Sequence, residues 1–156
     1  MFKRILVPVD GSQTATRALV AALQLARDGG GRVRLVTVVE DLSAADSYGS
    51  YGGYSEELVL ALRDGSERVL SDARAVAQSA GVEADTMLYD KFGQRLGEVV
   101  ADAAMLWNAD LVVVGTHGRR GIGRMFLGSG AEQIIRLSPV PVLVFRSHDN
   151  AVAKPA

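Results

Sequence analysis

Four short runs of branched apolar residues limit what this chain can fold into more than any other feature. They are Arg4 to Val9, Val33 to Val39, Leu111 to Val114 and Val140 to Phe145, with Ala84 to Tyr89 as a weaker fifth. The strongest are apolar almost throughout, with no in–out alternation, as expected of strands covered on both faces; a parallel sheet follows. Helical patterns separate them. Thr14 to Arg27 carries Ala18, Leu19, Ala22, Leu23 and Ala26 at helical spacing, with Ser12 as its candidate cap and Gly29-Gly30-Gly31 as its stop. Glu56 to Ala80 places Leu58, Leu62, Val69, Ala73, Val76 and Ala80 on one side, interrupted at Gly65 and stopped at Gly81. Leu96, Val99, Val100 and Ala103 mark a third helix ending near Asn108, and Gly130 to Leu137 a fourth, closed by Ser138-Pro139. The order βαβαβαβαβ is that of an open α/β sheet with helices on both faces.

With 156 residues the chain is expected to form one domain, residues 1–146, followed by a polar, frayed tail over 147–156. Seventeen basic against eighteen acidic residues leave a formal charge of -1, which argues against a broad nucleic-acid-binding face. The absence of cysteine removes disulfides, thiolate metal sites and thiol nucleophiles together. The apolar runs fall far below the ~18 residues needed to span a bilayer, and none resembles a signal h-region, so no membrane partner and a cytoplasmic location are expected. The irregular stretch Glu40 to Tyr54, with three glycines and three tyrosines, reads either as a lid over a ligand or as a surface connection.

Six of the seventeen glycines crowd between Gly115 and Gly130, where the chain leaves a buried strand and enters the fourth helix. In an open α/β sheet that end of the strands is where ligands bind. Glycine lets backbone N–H groups approach an anion, and a helix start adds further N–H groups and a favourable dipole. Ser129 offers a hydroxyl to a phosphate oxygen, and Arg119, Arg120 and Arg124 add positive charge to the same turn. Two phosphate loops fail the test. The P-loop spacing from Gly118 ends in Arg124 and Met125, where Lys and Ser/Thr are required. The dinucleotide fingerprint fails because Gly121-Ile122-Gly123 is followed by Phe126 at the third glycine position.

A different spacing does match. Gly115-x2-Gly118-x9-Gly128-Ser129, together with Ile5-Leu6-Val7-Pro8-Val9-Asp10-Gly11-Ser12 and Ser138-Pro139-Val140-Pro141-Val142-Leu143-Val144, resembles the universal stress protein family over about residues 2 to 146. The resemblance implies an open five-stranded parallel sheet of order 3-2-1-4-5, Rossmann-like and akin to the adenine nucleotide alpha hydrolases, usually a homodimer. It also implies ATP binding, with a magnesium ion compatible with the nucleotide, and a role in stress response. Carried over by position, Pro8, Val9 and Asp10 border the adenosine and Val38 packs on the adenine. Gly115, Thr116, His117 and Gly118 line ribose and phosphate, with Arg119 beside them, and Gly128, Ser129, Gly130 and Ala131 hold the phosphates. Thr116 stands where many relatives carry Ser; both keep a hydroxyl.

Several residues keep two readings. Asp10 orients ribose or holds magnesium, or else caps the first helix with Ser12. His117 is an acid–base group or a lining residue, and the arginines contact phosphate or form a solvated turn. Trp107, Met105 and Phe126 read as core or rim packing. No metal site built from protein ligands is visible, and no catalytic residue stands out. A binding module that signals or buffers through its liganded form leads; a slow ATP hydrolase or phosphotransferase is the alternative enzyme reading. The apolar strand Val140 to Phe145 is expected at a sheet edge, where Pro141 is tolerated, and is expected to pair with its own copy in a homodimer.

Overall fold

The computed structural model describes residues 1–39, 55–90, 93–116 and 127–146. Five strands, β1 (Arg4–Pro8), β2 (Arg32–Val38), β3 (Ala84–Tyr89), β4 (Leu111–Gly115) and β5 (Val142–Phe145), alternate with α1 (Gln13–Gly29), α2 (Glu56–Ser79), α3 (Leu96–Leu106) and α4 (Ser129–Leu137). The sheet is parallel throughout in the order β3-β2-β1-β4-β5, as expected. Both faces of the central strands are buried, which is why their sequences do not alternate. Ile5, Val7, Val33 and Leu35 pack with the apolar stripes of α1 and α2. Leu6, Val36, Val112 and Val114 pack with those of α3 and α4.

Local chemistry sets the helix ends. Ser12 adopts extended backbone angles and its side chain accepts the Ala15 N–H, so it caps α1 as the sequence indicates. Gly30, at φ 62, closes the same helix in the left-handed conformation that glycine adopts without a Cβ penalty. Ser55 caps α2 in the same manner, accepting from the Leu58 N–H.

Two expectations need correction in α2. The helix runs unbroken through Gly65, and its buried residues are Leu70, Ala73 and Ala77, whereas Leu58 and Val76 are exposed. Helix length explains the difference. Twenty-four residues span ~36 Å at 1.5 Å per residue, whereas the six residues of β3 span ~20 Å. The early turns, with Leu58, therefore extend past the strands, whereas Val76, in the last turn, lies at the flank of the buried stripe formed by Leu70, Ala73 and Ala77. Trp107 is buried as expected, but Met105 is 61% exposed at the end of α3, not packed in the core. Phe126, the stretch Glu40 to Tyr54 and the tail 147–156 lie outside the described residues.

Candidate nucleotide-binding crevice

The strand order reverses direction between β1 and β4, and a crevice opens there because the two strands part. Their ladder registers Ile5 with Leu111 and Leu6 with Val112, yet β1 continues to Pro8 and β4 to Gly115. In open α/β sheets this is the topological switch point, where ligands sit beyond the carboxyl ends of the strands.

The segment after β1 forms one wall. The Val9 N–H donates to the Val36 carbonyl at 2.9 Å, and the Thr37 hydroxyl donates to the Val9 carbonyl at 2.7 Å. These bonds hold Pro8 and Val9 beside the end of β2, where Val38 lies half-buried against the hydrophobic layer on the α3 and α4 side of the sheet. Asp10 follows, half-buried, with Oδ1 accepting the Ser12 N–H at 2.9 Å. The capping role proposed for Asp10 and Ser12 is thus realised, and the chain turns into α1 through Gly11 at φ 79. The buried Thr37 was not singled out from the sequence; a threonine within the apolar run from Leu35 to Val39 was the available signal.

The opposite wall is the end of β4 and the start of α4. Thr116, 3% exposed, donates its N–H to the Phe145 carbonyl and accepts the Gly128 N–H on its own carbonyl, both at 2.8 Å. Gly128, at φ -59 and ψ 147, is the N-cap residue of α4, and among the described residues no side chain caps that helix. The first N–H groups of an α-helix have no partner within it. Ser129, Gly130 and Ala131 consequently present a helix N-terminus without a side-chain cap, at the positive end of the helix dipole. That donor set suits a phosphate oxyanion. Among the described residues no cluster of three His, Cys, Asp or Glu is placed to hold a metal ion.

Gly115 has a reason of its own to be glycine. A Cβ there would lie 2.7–2.9 Å from Thr14 atoms, two of them backbone, so its smallness lets α1 approach β4. Gly97 acts similarly between α3 and α4, where a Cβ would meet Gln133 Cβ at 2.6 Å and its backbone carbon at 2.8 Å. Of the sequence-derived site residues, Pro8, Val9, Asp10, Val38, Gly115, Thr116, Gly128, Ser129, Gly130 and Ala131 gather at the carboxyl ends of β1, β2 and β4. His117, Gly118 and Arg119 lie outside the described residues.

The profile of the universal stress protein family matches residues 1–146. The chain belongs to that family. A putative universal stress protein of Staphylococcus aureus (strain USA300) is 32% identical over 149 residues, covering 95% of this chain and 86% of the relative. A family member from Burkholderia pseudomallei has a similar solved structure, with a TM-score of 0.74 and 35% identity over 94% of this chain and 97% of that one. A universal stress protein from Archaeoglobus fulgidus, solved in complex with dAMP, shares the fold at a TM-score of 0.67 and 22% identity, covering 93% of this chain and 98% of that one.

Proposed function

We propose that this universal stress protein binds ATP in the crevice between β1 and β4 and acts as a nucleotide-dependent regulator or signalling module of the stress response. The observation that carries the proposal is the side-chain-free cap of α4, Gly128, held against the end of β4 by its bond to Thr116. In this reading Gly128, Ser129, Gly130 and Ala131 take the phosphates, with Gly118 and Arg119 completing the turn. Gly115, Thr116 and His117 line ribose and phosphate. Pro8, Val9 and Asp10 border the adenosine, Val38 packs on the base, and Asp10 is the carboxylate nearest in role to a magnesium ion carried with the nucleotide. The Archaeoglobus complex with dAMP supports an adenine nucleotide in this fold.

The same proposal takes residues 1–146 as the functional domain, in the cytoplasm, and the protein as a homodimer through β5. That strand ends the sheet order, and Leu143 on it is 38% exposed. Among the described residues no helix is long and apolar enough to cross a membrane. The deciding experiment is to denature the purified protein and identify the released nucleotide by chromatography and mass. Release of ATP is the expected result. If neither release nor added ATP in calorimetry reveals binding, the proposal is wrong. Following the bound nucleotide over hours with magnesium separates storage from the alternative, a slow ATP hydrolase or phosphotransferase.

A further inference from the structure

The amino ends of the strands, opposite the crevice, carry a cluster that nucleotide binding does not use. Arg4 of β1 is the register partner of Arg32 of β2, and Leu6 is that of Arg34. This stacks three guanidinium groups around Trp107, with their central carbons 5.4, 5.8 and 4.9 Å from the indole centroid for Arg4, Arg32 and Arg34. The three are not equally engaged. Asp85 holds Arg34 with a two-pronged pair at 2.6 and 2.9 Å, which raises the Arg34 pKa above its ordinary value despite opposing desolvation. Among the described residues the ion pair of Arg32 is a long contact of 3.7 Å to Glu83, whose side chain is 78% exposed. Arg4 has its Nε buried with no hydrogen-bond partner among the described residues. Among the described residues no carboxylate pairs with the Arg4 guanidinium, so its terminal N–H groups, rather than the enclosed Nε, are what a ligand would meet.

We propose that Arg4 and Arg32, with Trp107 as their wall, form a docking site for an acidic segment of a partner protein, taking one carboxylate between the two guanidinium forks. Guanidinium matches a carboxylate in a planar, two-bond geometry. Three carboxylates border the site: Glu83, Asp85, and Asp110, which accepts the Lys3 and Arg4 N–H groups. Their field disfavours the concentrated double charge of a phosphate group and leaves room for a single carboxylate group that replaces Glu83 on Arg32. The last turn of α3 adds exposed apolar surface, Met105 at 61% and Leu106 at 72%, which a free ion has no means to use but a peptide does. The site lies at the opposite ends of the strands from the crevice, so it stands whether or not ATP binds.

Trp107 is the only tryptophan in the chain, so its selectively excited fluorescence reports directly on this site. The probes are the peptide acetyl-Leu-Glu-Glu-Leu-amide, its Gln-Gln counterpart and inorganic phosphate, titrated at low ionic strength with calorimetry alongside. The Glu-Glu peptide should give a saturable change that fades with added salt, and the Gln-Gln peptide none. Arg4→Gln and Arg32→Gln should each weaken binding about ten- to a hundredfold, as expected for one charge-assisted pair. The Arg32 side chain is 42% exposed, so Arg32→Gln serves as the test if Arg4→Gln fails to fold. The proposal is overturned by equal binding of both peptides, by variants that bind like the parent, or by no saturable signal in fluorescence or heat. Tighter binding of phosphate than of the Glu-Glu peptide also overturns it, since the site would then be one for a small anion.

Discussion

Thr116 and Gly128, twelve positions apart, are joined by a 2.8 Å backbone hydrogen bond, the Gly128 N–H donating to the Thr116 carbonyl. The bond ties the exit of β4 to the entry of α4, so the glycine-rich turn between them starts and ends at one place. Its consequence is positional. The N-terminus of α4 is thereby registered against the sheet at the carboxyl end of β4.

Close packing of α3 on α4 sets the tilt of that same N-terminus. Gly97→Ala is expected to destabilise the protein by about 1–3 kcal/mol, because the new methyl meets Gln133 backbone and a helix must shift. Gly65→Ala is the control. Nothing lies within 4 Å of the added carbon there, and removing a mid-helix glycine should stabilise by about 0.5–1 kcal/mol. Urea unfolding midpoints at constant slope check both; a neutral Gly97→Ala would remove the packing account.

The Ser12 hydroxyl accepts the Ala15 N–H in the first turn of α1, and the Ser12 N–H donates to the Asp10 carboxylate. Ser12→Ala is expected to cost about 1 kcal/mol, the usual loss for an N-cap. The Asp10 contact uses the backbone and should survive. Thermal unfolding should therefore shift while the circular dichroism of the folded state does not.

The edge position of β5 leads to a prediction about assembly. An exposed apolar edge invites pairing, and a second copy across a two-fold covers it. Light scattering is expected to show a dimer at micromolar concentration. Leu143→Arg should yield a folded monomer, because its side chain is partly exposed and its loss leaves the core intact. A monomeric parent protein would sink the idea.

Much of this architecture was readable in the residues, and the failures have physical causes. Runs such as Ile5-Leu6-Val7 and Val112-Val113-Val114 announced doubly covered strands, and Ser12 announced a helix start. The stripe on α2 misled because periodicity assumes cover along the whole helix, whereas β3 is too short to supply it. The arginine–tryptophan cluster was illegible for a different reason. Arg4, Arg32, Arg34 and Trp107 come from three elements, and only strand register brings them together. In the crevice, the pattern singled out Gly115 as a ligand-lining residue, but its contact with Thr14 needs three-dimensional packing to see.

Binding is not expected to be matched by fast turnover. The spacing from Gly118 ends in Arg124 and Met125, without the lysine and hydroxyl that P-loop phosphoryl transfer uses. Hydrolysis slower than the ~1 s⁻¹ lower end of common enzyme turnover is expected. A much faster rate that His117→Ala abolishes would establish the enzyme reading instead.

The site itself is tested by the order of effects among variants. Gly128 has φ -59, which any L-residue adopts, so Gly128→Val does not strain the backbone and acts by filling the space beside the α4 N-terminus. It is expected to abolish ATP binding, as is Gly118→Val in the same turn. Ser129→Ala should be milder, losing one hydrogen bond to a charged group, about 1.5–3 kcal/mol or roughly one to two decades in affinity. Arg119→Ala should act through charge, its effect shrinking as salt rises. Calorimetry on variants with unchanged circular dichroism reads the series. If both valine variants stay folded and bind ATP like the parent, the phosphates lie elsewhere, and the nucleotide proposal falls with the turn that carries it.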